Sequence, residues 1–196
     1  MSFDSSRFTF DPWNDFFGVV MQQGRVQLDS DWNEWLAEFV RRVRAGTLDT
    51  IGRAVVPVTT ASAFQITSAQ DASGNVSIGI GQGRMYVDGL LAENHGLPAP
   101  IPIKFIPAGA VPPPITGQVW DTALDELDGS AGVTYSQQPY YPNVDVLAPF
   151  PQAGGPYLIY LDVWQREVTF LQDPDLVEKA VGVDTTGRIQ TVWQVK

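Results

Sequence analysis

The stretch Phe64-Gln-Ile-Thr-Ser-Ala-Gln-Asp-Ala-Ser-Gly-Asn-Val-Ser-Ile-Gly-Ile-Gly-Gln-Gly-Arg-Met-Tyr-Val87 decides the fold. Short runs of β-branched and aromatic residues alternate there with Gly, Asp, Asn and Ser, the pattern of short strands joined by turns. It predicts strands at Phe64 to Thr67, Val76 to Ile80 and Arg84 to Val87, with Asp71-Ala-Ser-Gly-Asn75 as the hairpin loop between the first two. Gly79-Ile-Gly-Gln-Gly83 is read as a glycine kink or bulge within an antiparallel pair. A phosphate-cradling loop would need a helix after it, whereas the RMYVDG run beyond Gly83 reads as a strand.

Upstream, the pattern changes to a helical one. Asp31 is placed to cap a helix, with Glu34 reaching back three residues later. Trp32, Leu36, Phe39, Val40 and Val43 then recur on one stripe of a 3.6-residue helix, widened by Trp35. Asp29, Asp31 and Glu34 suit the positive end of the helix dipole and Arg41, Arg42 and Arg44 the negative end, with Gly46 as the stop. Such a helix must bury its apolar face on a sheet or on a neighbouring subunit.

Before the helix runs SRFTFDPWNDFFGVVMQQGRVQL, an aromatic arm broken by Pro12, Gly18 and Gly24 and expected to be extended. Phe8, Phe10, Trp13, Phe16 and Phe17 are either core residues of the arm or anchors into a partner. A sugar-binding platform of exposed aromatics is a third option.

Downstream, Leu97 to Thr116 holds seven prolines, with an edge strand expected at Ile101 to Ile106. Asp121 to Gly132 is acidic and small and is expected to be a mobile loop. Tyr157 to Trp164 and Glu167 to Leu171 read as two buried strands around Gln165-Arg166, and Ile189 to Val195 as a last strand. Ending on such an apolar strand is expected of a short version or a piece of a longer protein. The reading divides the chain into an aromatic arm and docking helix (1–50), a small β lobe (51–96), a Pro-rich and acidic linker (97–135) and a C-terminal β lobe (136–196). The fold class is mainly β (α+β): antiparallel strands in small sandwich or barrel-like lobes, with one N-terminal amphipathic helix.

Composition narrows the function. The 196 residues carry a formal net charge of -10, which disfavours a phosphate-tracking surface and so nucleic acid. Cysteine is absent, removing disulfides, thiolate metal sites and thiol catalysis. Charged residues are 17% of the chain, below the usual quarter, so part of the surface is covered by something other than charge. The N-terminus lacks a secretory pattern, and no run is apolar enough to span a membrane. The chain reads as cytoplasmic at synthesis, with any export as part of a larger object.

Catalytic patterns fare poorly. Asp29, Asp31 and Asn33 alternate as in a calcium loop, but Glu34 stands where the turn glycine belongs and Val40 where the bidentate Glu belongs. Asp71, Ser73 and Asn75 are ordinary hairpin-loop residues. His95 is the single histidine, in a turn, and no nucleophile elbow is present. The expectation is a non-enzymatic protein without cofactor or metal.

Three stretches carry a resemblance. Val20 to Trp35, VMQQGRVQLDSDWNEW, resembles the N-terminal signature of an uncharacterised domain family encoded in extracellular contractile injection system clusters and other phage-tail-like loci. Gly79 to Asn94, GIGQGRMYVDGLLAEN, resembles that family's next strand-turn unit. Tyr157 to Val195 resembles its third block, with Gly182 to Arg188 a looser version of the usual glycine-rich turn. The resemblance implies a structural subunit at or near a baseplate, present in multiple copies in a symmetric assembly. Its partners would be other subunits of the particle: baseplate, spike, sheath or fibre proteins. Within it, Gln22 to Trp35 is read as a docking element, and the partner-docking residues are Phe16, Phe17, Met21, Gln22, Trp32, Trp35 and Phe39. The rival readings are a tail-fibre adaptor or surface (glycan) binding module, and a particle-associated hydrolase.

Overall fold

A computed structural model describes residues 6–70, 72–96, 132–140 and 155–196. The Pro-rich stretch with its edge strand and the acidic loop up to residue 131 lie outside the described residues, as does Asp71 of the hairpin loop.

The helix, α1, spans Asp29–Ile51, longer at both ends than the sequence pattern predicts. Leu28 is the N-cap and brings no side-chain acceptor. Asp31, at the third helical position, instead accepts the Leu28 backbone N–H at 3.1 Å. Asp31 therefore performs the back-reach expected of Glu34, whose carboxylate accepts the Thr9 hydroxyl of the arm. Gly46 does not stop the helix but lies inside it. The end comes at Gly52, with φ of 93°, whose N–H bonds the Leu48 carbonyl at 3.0 Å. The arginines consequently sit in mid-helix, and the last turn has no basic residue.

Among the described residues, the strands form small antiparallel sheets and do not close into a barrel. β1 (Ala54–Val55), β4 (Gly83–Val87) and β5 (Leu90–Asn94) make one sheet in the order β1-β4-β5. β2 (Ile66–Gln70), β3 (Val76–Gly81) and β6 (Gly132–Thr134) make another, in the order β2-β3-β6, with Gln70 opposite Val76 across the expected hairpin. β7 (Leu161–Val168) pairs with β10 (Arg188–Val195), and β8 (Val177–Glu178) with β9 (Val183–Asp184).

Three local readings are corrected. β7 runs straight through Gln165-Arg166, so the two expected strands are one, and its residues are half-buried or exposed. Phe64 precedes β2 and takes a positive φ of 56°. The glycine run is neither a kink nor a bulge within one pair: β3 ends at Gly81 and β4 starts at Gly83 in a different sheet. This change of sheet explains the glycines. A Cβ on Gly81 would run into the Ser62 carbonyl oxygen, and Gly83, at φ 134°, would place one 2.6 Å from the Ala63 Cβ.

Contacts divide the chain into two units that interleave in sequence. The first takes residues 1–53, 88–90 and 166–190, and the second 54–87, 91–165 and 191–196. The second holds the core. Ile80, Ala92, Val133 and Val195 surround Trp193, which is 1% exposed and meets the Phe64 ring edge-on at 5.0 Å. Its indole N–H donates to the Glu93 carbonyl at 2.7 Å, as a buried indole requires. Two buried amides complete the packing. Gln138 donates to the Val195 carbonyl at 3.0 Å and accepts the Val195 N–H at 2.6 Å, pairing with the backbone as a strand would. Asn94 donates to the Gly81 carbonyl at 2.9 Å, where the chain changes sheets.

In the first unit, the arm is tied to α1 by polar bonds, and the Asp88-Gly89 turn is tied to it as well. Ser6 donates its hydroxyl and backbone N–H to the Asp29 carboxylate at 2.6 and 2.8 Å. Arg44 and Arg53 both reach the Asp88 carboxylate, at 2.6 and 3.1 Å. A Cβ on Gly89 would lie 2.6 Å from Arg44 Cγ, so glycine permits the close approach.

Candidate docking surface

The first unit has an inverted arrangement. On α1, the polar side is the covered one: Ser30 and Glu38 are its buried residues. The apolar stripe faces outward. Trp32, Trp35, Leu36, Phe39, Val40 and Val43 are all exposed, Trp32 at 58% and Phe39 at 55%. Every buried hydrophobic among the described residues belongs to the second unit. A helix normally draws its stability from burying its amphipathic face, and here that face is uncovered.

The rings on the stripe are ordered against one another. Trp32 and Trp35 lie 5.4 Å apart between centroids, and Phe39 stacks on Trp35 at 6.1 Å with 14° between planes. Rows of exposed apolar side chains of this kind mark interaction surfaces, whereas single exposed ones are ordinary.

The arm adds a second set. After the Pro12–Asn14 turn, capped by the Asp11 carboxylate at 3.0 Å from the Trp13 N–H, Phe16 and Phe17 sit exposed. The Arg42 guanidinium lies over the Phe17 ring, 5.4 Å from its centroid. Phe16, Phe17 and Phe39 line a cavity of about 530 Å³ between arm and helix. Met21 and Gln22 are exposed in the segment before α1 and do not line it. Of the seven residues expected to dock, Trp32, Trp35 and Phe39 thus form a row, Phe39 also joins Phe16 and Phe17 at the cavity, and Met21 and Gln22 stand apart.

Glu38 carries no such signal in the sequence. It lines the cavity yet is only 7% exposed, and its Oε2 has no hydrogen-bond partner. Its position on the polar side of the helix signals solvent exposure, whereas in the fold it is buried beside residues of the arm.

His95 is exposed, and its backbone carbonyl accepts from Gln82 at 3.2 Å. Asp29 is engaged by Ser6, whose hydroxyl and then backbone N–H hold its carboxyl below the usual carboxylate range. Among the described residues, no group of three or more His, Asp or Glu is placed to hold a metal ion. No helix among them is long and apolar enough to cross a membrane.

A family model matches residues 1–99 and 125–196. The chain belongs to that family, a family of unknown function named DUF6519. The match takes in the arm, α1, both three-stranded sheets and the C-terminal strands, so the exposed stripe and the cavity both lie within the DUF6519 region. No curated protein and no solved structure matches the chain.

Proposed function

We propose that this DUF6519 chain is a non-enzymatic structural subunit of a contractile injection or phage-tail-like particle, at or near the baseplate, and that its arm and helix dock it onto a neighbouring subunit. The observation that carries the docking is the inverted helix: its polar side is covered and its aromatic stripe is open. Covering half-exposed Trp, Leu and Phe side chains releases roughly 1 kcal/mol each, and ordered aromatics supply the large anchors of interfaces. The particle itself comes from the resemblance of the Val20 to Trp35, Gly79 to Asn94 and Tyr157 to Val195 segments to the injection-cluster family.

The docking is tested by a double substitution, Trp32→Ala with Trp35→Ala. Both side chains are exposed, so the purified chain is expected to keep its wild-type fold by circular dichroism. Incorporation into particles, measured by co-purification with the tail, is expected to fall to background. Wild-type incorporation of the folded double variant would refute the docking role.

A further inference from the structure

The cavity between the arm and α1 carries charge that the apolar stripe does not. Besides Glu38, its lining includes Asp11, Asp15 and Asp49 against Arg41 and Arg42, four carboxylates to two guanidinium groups. Arg42 is already stacked on Phe17. Among the described residues, neither Arg41 nor Arg42 is salt-bridged to a carboxylate. The Glu38 Oε2, buried and unpartnered, is the group with most to gain from a ligand.

We infer that this cavity receives an arginine side chain presented by a partner polypeptide. An anion would meet a net negative lining. A purely apolar group would leave the Glu38 oxygen desolvated and unsatisfied, which costs more than the contact returns. A guanidinium group satisfies both halves of the lining: its planar face lies against Phe16 or Phe39, and its N–H fork donates to the Glu38 carboxylate. The Arg42 guanidinium over Phe17, 5.4 Å from its centroid, is one such contact already present in the lining of this cavity. This deepens the docking reading by naming what the partner brings, and depends on it only for which protein carries the arginine.

The test uses the full chain and two short capped peptides, acetyl-Gly-Arg-Gly-amide and the same peptide with citrulline, which keeps the shape and loses the charge. Binding is monitored through the side-chain carboxyl carbon of Glu38 by NMR, assigned with Glu38→Gln. The arginine peptide is expected to bind saturably and shift that signal, with citrulline roughly tenfold weaker or more, because charge-assisted bonds are lost. Glu38→Gln is expected to weaken the arginine peptide to the citrulline level. Equal binding of the two peptides, binding of neither, or undiminished arginine binding by folded Glu38→Gln would each overturn the assignment. If Glu38→Gln does not fold, the peptide pair on the unmodified chain still decides. Failure here leaves the incorporation result for the Trp32 and Trp35 variant standing, and the converse holds, so the two readings fail separately.

Discussion

Asp29 shows how much of the arm's placement rests on single polar bonds. The Ser6 hydroxyl and backbone N–H both donate to its carboxylate, and its pKa lies below the ordinary Asp value as a result. The stabilisation this gives is fully present above the unfolded value of about 3.9 and is lost as pH falls through the lowered folded value. The arm is therefore expected to loosen from the helix start only in strong acid. In a carboxyl-carbon NMR titration, the Asp29 midpoint is expected below the ordinary aspartate value. Ser6→Ala, which removes the larger of the two donors, is expected to raise it. An unchanged midpoint in Ser6→Ala would show that the hydroxyl does not set the shift. Nothing in the sequence marks this pair, since Ser6 and Asp29 are 23 residues apart and each is an ordinary surface residue.

For the elements, α1 separates signals in a sequence that are physical from those that are only frequent. Its stripe is legible because periodicity arises from helix geometry. Its ends are not, because glycine at a helix terminus is a tendency, and Gly46 faces open space inside the helix while Gly52 makes the cap. A Cβ on Gly46 would meet no atom within 4 Å. Gly46→Ala is therefore expected to stabilise the helix by about 0.5 to 1 kcal/mol, read as a higher urea midpoint for the helical signal. If Gly46 ended the helix, the same change would destabilise it. Strand boundaries behave similarly: Gln165-Arg166 looks like a break, yet a strand with one open side accepts polar residues in its middle, so β7 continues. The Asp88-Gly89 pair carries a signal that the strand pattern alone misses. Asp-Gly between apolar runs marks a tight hairpin, and it turns β4 back into β5. At the candidate docking surface, the aromatic residues can be named from the sequence, whereas the burial of Glu38 comes from tertiary packing that no local pattern encodes.

Across the whole molecule, the division of labour among the described residues is between a unit with a buried apolar core and one without. The strand class is legible from β-branched runs and turn residues, but the interleaving is not, because residues 166–190 and 88–90 join α1 through contacts that no local pattern encodes. The division gives one residue type two opposite fates. Trp193 is enclosed in the core of the second unit, touches Phe64 and donates to the Glu93 carbonyl. Trp35 lies exposed on α1, tilted against Trp32 and stacked on Phe39. Trp193→Ala opens a cavity and strips the half-buried Glu93 carbonyl of its indole donor, so a loss of about 3 to 5 kcal/mol is expected in urea unfolding of the isolated chain. Trp35→Ala removes a side chain that stays 43% exposed in the isolated chain, and its change is expected to be smaller, within about 1 kcal/mol. Under the proposed docking, the order is expected to reverse in an assembly assay, because Trp35 would supply buried area there whereas Trp193 is enclosed in the core. A Trp35→Ala chain as unstable as Trp193→Ala would mean that the stripe is already covered within the isolated chain, and the docking surface would lose its basis.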